Sequence, residues 1–243
     1  MEGPASFEEP PRRVVGASVA AEGQCPACGG PLYAWISAPA AAAGEDEVYV
    51  LDRCERCGAS CARESAVHPG FGADAAAADR EVGVLLAASG GNGSGLVSAP
   101  NRRSLQAAIG EGNWAALDLP DRPLQLTAKA LEELLERRGA ALERVRFPVF
   151  GRNQLWMWQT LMNALTFHPN FAREVRAGRL RPANSRGTLI FTVDSIVSVL
   201  GAPLVALASI PLEAVAALVR RGGELRATVR PPADAALDRG VSD

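Results

Sequence analysis

Lysine is nearly absent from this 243-residue chain, where Lys129 stands alone beside 24 arginines. Cations do not outnumber acids either: Lys+Arg 25 against Asp+Glu 27 leaves a net charge of -2. That balance excludes a protein whose main task is to neutralise nucleic-acid phosphates, so any basic surface has to be local. Histidine is almost as scarce, with only His68 and His168. No Ser/His/Asp or Cys/His set can be assembled from so few, and His168, in Phe167-His168-Pro169-Asn170 at an expected helix end, reads as a capping or dipole residue. Aromatic residues make up 5% and charged residues 21%, yet 48% are hydrophobic, which excludes disorder throughout and allows one full-sized domain or two small ones. The opening stretch MEGPASFEEPPRR carries three acids and no apolar run, so no secretory leader is expected and the expected location is cytoplasmic.

A reducing compartment changes what the five cysteines mean, because disulfides do not persist there. They are Cys25-x2-Cys28, then 25 residues, then Cys54-x2-Cys57, with Cys61 close behind. A two-residue gap lets both thiolates of a knuckle reach one ion, and two knuckles complete a tetrahedral shell. The expected metal ligands are Cys25, Cys28, Cys54 and Cys57, holding a structural zinc in a zinc ribbon over 25–61. Gly29 and Gly58 follow the second ligand of each knuckle, where they supply a permissive backbone. Leu32–Ile36 and Val48–Leu51 read as the ribbon's strands. A shell of four thiolates leaves no open position for substrate, so the metal is expected to hold a fold rather than catalyse. Cys61 is expected to be buried. Glu45, Asp46, Glu47, Asp52 and Glu55 against Arg53 and Arg56 make this ribbon a poor phosphate footprint, and no nucleic acid is expected as a partner.

Residues 62–80 read as an Ala/Gly/Asp/Pro-rich linker, and Val82–Ala88 as a buried strand entering the tract Ser89-Gly90-Gly91-Asn92-Gly93-Ser94-Gly95. The glycines at 91, 93 and 95 fit a ligand-approaching loop, and they equally fit a flexible connection or hairpin turn. Further on, Thr127 is placed to cap a helix over 128–139, with Leu131, Leu134 and Leu135 on one face and Gly139 at its end. Strands are expected at 144–149 and 222–230.

Ala99-Pro100-Asn101, Ser104-Leu105, Asp121-Arg122-Pro123-Leu124 leading to Leu126-Thr127, Gly139, and Gly222 to Arg230 occur in a familiar order. Together they resemble the C-terminal half of class I S-adenosylmethionine-dependent methyltransferases, some of which look similar at the front, with a zinc ribbon of this spacing. The resemblance implies a Rossmann-like layer. It also implies a cofactor site on earlier strands, for which the tract 62–95 is too short, and Ser89 stands where the family has an acid before the glycines. The chain therefore resembles a member whose cofactor-binding half is missing.

The last third is the most apolar. Residues 151–167 read as a helix with Leu155, Trp158, Met162 and Leu165 on one stripe, widened by Trp156 and Met157. Arg173, Arg176, Arg179, Arg181 and Arg186 follow, and then Ser195–Leu212 carries no charge. Gly201, Pro203 and Pro211 are expected to divide this stretch into an apolar helical hairpin over 189–219. Lipid and protein are both compatible solvents for such a hairpin: it fits dipping into one leaflet, and it fits covering a sheet or a dimer interface.

The expected fold is α+β: residues 1–24 a flexible N-terminus, 25–61 the zinc ribbon, 62–80 the linker, 81–230 a truncated Rossmann-like methyltransferase layer carrying the apolar hairpin, and 231–243 a flexible tail. The expected function is non-catalytic, binding a protein partner, a second copy or a membrane surface through 154–219. The alternative is a methyltransferase using S-adenosylmethionine on a lipid-like or small hydrophobic acceptor.

Overall fold

The computed structural model describes residues 13–15, 23–39, 47–63, 73–88, 95–117, 119, 122–178, 180–182 and 184–230. It is a mixed α/β protein with two sheets, and nearly all strand pairs are antiparallel.

The first sheet is built around β3 (Glu47–Cys54). β2 (Leu32–Pro39) runs antiparallel along one edge, from Leu32 opposite Cys54 to Pro39 opposite Val48. The other edge is shared by β1 (Arg13–Val15), which is parallel, and β4 (Ser60–Ala62), which is antiparallel. Residues 13–15 are thus a paired strand within the N-terminal segment expected to be flexible; the rest of 1–22 and the tail 231–243 lie outside the described residues. The ribbon does not end at Cys61, because β4 pairs onward with β6 (Leu124–Gln125).

Behind the described start of the expected linker, 73–88 corrects the strand expected there. Asp74 accepts a hydrogen bond from the Ala77 N–H at 2.6 Å and opens helix α1 (Ala75–Ala88). A short apolar run such as Val82–Ala88 cannot be told from a helix by itself. The four alanines upstream decide it, since alanine is the best helix former and sets Ala78, Val82 and Leu85 on one buried face. The linker expected over 62–80 is correspondingly reduced, and the glycine tract at 89–94 lies outside the described residues.

The second sheet has the order β5-β8-β7, with β5 (Gly95–Pro100), β7 (Ala141–Arg146) and β8 (Glu224–Arg230). Both pairings are antiparallel, whereas a Rossmann-like layer is built on parallel strands. Helix α2 (Leu105–Gly110) is capped by Ser104, and α3 (Ala128–Arg137) by Thr127, whose hydroxyl accepts from the Ala130 N–H at 3.1 Å. Gly139, at φ +69, ends α3 as expected.

One core joins the cysteine knuckles to α1, α3 and the second sheet, while Ala38, Tyr49, Leu51, Ala107 and Trp114 form a second cluster around β3 and α2. Cys25, Cys28, Cys54, Cys57 and Cys61 pack in the same cluster as Leu131 and Leu135 of α3, Val82 and Leu85 of α1, and Leu225 and Val229 of β8. Full burial of leucines such as Leu131 and Leu135 contributes about 1.5–3 kcal/mol each. Ribbon and C-terminal layer therefore share their interior.

The apolar third corrects two further expectations. Helix α4 (Arg152–Leu165) forms as expected, but its expected stripe is divided: Met162 is buried and Leu155 and Leu165 are exposed, while Asn153, Met157, Thr160 and Asn163 are also buried. After α5 (Phe171–Arg176), the hairpin is instead one unbroken helix over Ser185–Leu218, made of α6 (Ser185–Ile196), a π turn (Val197–Gly201) and α7 (Ala202–Leu218). A π turn pairs each carbonyl with the N–H five residues on, so the ladder steps past Pro203, which has no N–H to give. Pro211 sits on the exposed side of α7, where a carbonyl left without its donor does not have to be satisfied by the protein.

Candidate metal centre and apolar face

The two knuckles repeat one backbone pattern. Cys25 N–H donates to Gly30 C=O at 2.8 Å and Cys54 N–H to Ala59 C=O at 2.9 Å. Gly29 N–H donates to Cys25 C=O at 2.7 Å and Gly58 N–H to Cys54 C=O at 3.0 Å. Gly29 and Gly58 stand at φ +73 and +74, the left-handed region that glycine permits. The Gly30 N–H points at Cys28 Sγ from 3.4 Å, the backbone-to-sulfur contact that orients a thiolate ligand.

Folding these turns together puts the four expected ligand sulfurs within 4.8 Å of one another, all buried. Cys25 Sγ and Cys57 Sγ are 3.7 Å apart, and Cys28 Sγ and Cys54 Sγ 3.4 Å. A tetrahedron of sulfurs about 2.3 Å from one ion has edges of about 3.8 Å, so the cluster has the size that a single ion requires. Without an ion the set is electrostatically unbalanced. S–H donation from Cys57 and Cys61 pulls the Cys25 thiol down to about 2. The same bond to Cys25, together with burial, pushes Cys57 up, and burial raises Cys54. Ionising the thiols that are held up takes a nearby cation. Cys61 is buried as expected, and its thiol, bonded to Cys25, is held well above 9.0.

Helix α3 clamps both knuckles from outside. The Thr127 hydroxyl donates to Cys57 C=O at 2.6 Å, Lys129 Nζ to Arg56 C=O at 3.0 Å, and Arg137 to Pro26 C=O at 2.7 Å. The sole lysine is thereby spent on the second knuckle, and the far end of the helix holds the first. Gly30 fits tightly: a Cβ there would stand 2.8 Å from Arg56 Cβ and 3.2 Å from Cys54 Sγ. Gly30→Ala is expected to lower stability by about 1–3 kcal/mol, read as a fall in the melting temperature of the zinc-loaded protein. An unchanged melting temperature would contradict this close approach.

The second feature is the reversed polarity of the long helix. Its buried residues include Asp194, Ser209 and Glu213, each 0% exposed, while Val199, Leu204 and Leu207 are 72%, 69% and 71% exposed. The acids are used inside. Asp194 accepts from the Phe167 and His168 N–H groups at 2.8 and 3.1 Å and contacts His168 Nδ1 at 2.8 Å. Glu213 accepts from Gly223 N–H at 2.8 Å and Gln106 Nε2 at 2.7 Å. Trp158 Nε1–H donates to Ala202 C=O at 3.1 Å, tying α4 to the first residue of α7. His168 therefore pairs with a buried carboxylate, beyond the capping role expected of it. Exposed arginines stand at both ends of the helix, Arg173, Arg176, Arg181 and Arg186 before or in its first turn and Arg220 and Arg221 after its last, while Arg179 lies outside the described residues. Asp194 and Glu213 are visible in the sequence only as the limits of an uncharged run. The signal available was the helical spacing of Ser209, Glu213 and Ala216, which marks an inward stripe of polar and small residues.

A cleft of about 800 Å³ lies between α3, β7 and the α7–β8 turn, lined by Asn101, Lys129, Glu132, Glu143 and Arg144 among others. Cys57 and Thr127 also line it, and the Thr127 hydroxyl donates to Cys57 C=O. Beside it, Asn101 joins the two turns quoted for the methyltransferase resemblance: its N–H donates to Gly223 C=O and its Nδ2–H to Gly222 C=O, both at 2.8 Å. Comparison with family models, with curated proteins and with solved structures finds no match to this chain.

Proposed function

We propose that this chain is a non-catalytic protein, held together by a structural zinc, that docks on an anionic membrane surface through the outward face of the 185–218 helix. The observation carrying this reading is the reversal of polarity: the helix spends its carboxylates on the protein and offers its leucines and valines outward. In water such a face is an unfavourable exposure of apolar area. The inward stripe, bonded to Gln106, Gly223 and the 167–168 turn, keeps one side of the helix on the protein, so only the other side is available to lipid. That geometry suits a helix lying in the membrane plane rather than crossing it. The arginines at both ends suit anionic headgroups, each contributing about 1 kcal/mol near such a surface.

Descent from the outer half of a methyltransferase is supported by the convergence of Asn101 with Gly222 and Gly223, and by the two motif-bearing strands β5 and β8 pairing in one sheet.

Flotation tests the membrane reading. The zinc-loaded protein is expected to float with vesicles of phosphatidylcholine and phosphatidylglycerol, and weakly with phosphatidylcholine alone. A protein that stays at the bottom of the gradient with both, while sedimenting as a dimer, would assign the face to a second copy instead.

A further inference from the structure

A second cavity, about 200 Å³ in volume, opens between the ribbon and helix α2, where Arg53, Arg102, Arg103 and Arg221 converge around Trp35 with Glu111 as the single acid. It holds the equivalent of about six or seven liquid waters. We propose that this cavity binds a phosphate group, as the free anion or as the phosphomonoester of a larger molecule. This inference goes beyond the docking face and does not need it.

Four guanidiniums face one carboxylate, so the lining carries an excess of positive charge that a dianion would offset. Among the described residues, none of the four is ion-paired. Arg102 is the most informative. It is 5% exposed, and its Nη2 is buried with no hydrogen-bond partner. Its Nε donates to Ser60 Oγ at 3.0 Å and its Nη1 to Ala107 C=O at 3.3 Å, both neutral acceptors. A buried cation left without a counter-charge is costly, and a charge-assisted acceptor is the missing component. Burial first, and the Arg53 charge second, lower this guanidinium to about 9.

Trp35 supplies the geometry. The Arg102 guanidinium carbon lies 3.6 Å from the centroid of its ring and that of Arg53 5.6 Å. Stacking on an aromatic face holds a guanidinium while leaving its edge N–H groups free, and those edges match the oxygens of a phosphate. Arg221 is fixed from the far side by its Nε–H bond to Arg103 C=O at 3.2 Å. It lies just past the end of the long helix at Leu218, after Val219 and Arg220, so a phosphate carried by a lipid headgroup is within the chemistry of the site.

Calorimetric titration of the zinc-loaded full chain with inorganic phosphate, with chloride at matched ionic strength as control, tests the site. Saturable phosphate binding is expected, falling about tenfold or more in Arg53→Gln and in Arg102→Met, with zinc content unchanged. The methionine keeps the buried volume apolar, and Arg53→Gln decides the matter if Arg102→Met does not fold. Phosphate behaving like chloride, or a folded Arg53→Gln that binds as wild type does, would overturn the proposal. Vesicles containing phosphatidic acid, compared with phosphatidylglycerol at equal charge, then separate the sources. A preference for phosphatidic acid that Arg53→Gln abolishes assigns the site to a lipid headgroup, and no preference alongside phosphate binding in solution assigns it to a soluble phosphomonoester.

Discussion

Cys54→Ser, in a background where Cys61 is also serine, is expected to abolish zinc binding and with it the cooperative unfolding of the chain. A hydroxyl is a poor ligand beside three thiolates, and the remaining sulfurs cannot close a tetrahedron. The double variant is needed because the Cys61 thiol is hydrogen-bonded to Cys25 and so stands close enough to substitute. Structural zinc supplies on the order of 10 kcal/mol of folding free energy in small zinc domains, comparable to the whole stability of an ordinary domain. Here the loss would spread past the ribbon, since the cysteines share a core with Leu131, Leu135 and Leu225 and α3 is bonded to both knuckles. Proton linkage gives the same centre a pH signature. In the metal-free cluster Cys25 readily ionises while Cys54 and Cys57 are held up, so binding an ion expels protons from those thiols. Affinity therefore falls as pH falls, and acid should strip the metal and lower the melting temperature together. Metal analysis and thermal unfolding, each across pH, check this. A double variant that unfolds like the wild type, or retains one zinc per chain, would sink the assignment.

The four-cysteine cluster and α3 were legible because each is written in a few adjacent residues. Knuckle spacing, Gly29 and Gly58, the Thr127 cap and the Gly139 stop all act over a single turn. What was not legible depends on partners far along the chain. The ribbon looked like a separate domain because nothing near Cys61 announces that Ser60 and Cys61 pair with Gln125 and Leu124. Val82–Ala88 looked like a strand because the cap that makes it helical, Asp74, lies outside the apolar run. The prolines suggested a hairpin, yet a local π register absorbs Pro203 without a turn. In α4 and α7 the apolar residues were seen while the side they turn to was left open, because hydrophobic periodicity reports a face and not the solvent it meets. The arginine cavity needs Arg53 from the ribbon and Arg102 and Arg221 from elsewhere, a convergence that only the fold creates.

The outward face can be tested without disturbing the interior, since Leu200 and Leu204 are 66% and 69% exposed and neither belongs to a core cluster. Leu200→Asp combined with Leu204→Asp is expected to leave zinc content and melting temperature unchanged and to weaken vesicle binding by about a hundredfold or more. Two leucines entering the acyl boundary contribute about 1.5–3 kcal/mol each, and the lower value for both already corresponds to about that factor. Two added carboxylates facing anionic headgroups weaken binding further. Salt separates this contribution from that of the arginines: raising ionic strength screens Arg173, Arg176, Arg181 and Arg186, all exposed, and leaves apolar transfer in place. Wild-type binding to phosphatidylglycerol vesicles should therefore decline with salt to a residual level, and the double aspartate variant should lack that residue. A partner protein or second copy covering the same face gives a different pattern. The variant would then change the sedimentation of the chain in the absence of lipid, while the wild type failed to float. That pair of results would overturn the membrane reading and leave the zinc centre and the arginine cavity untouched, because neither depends on what the leucines meet.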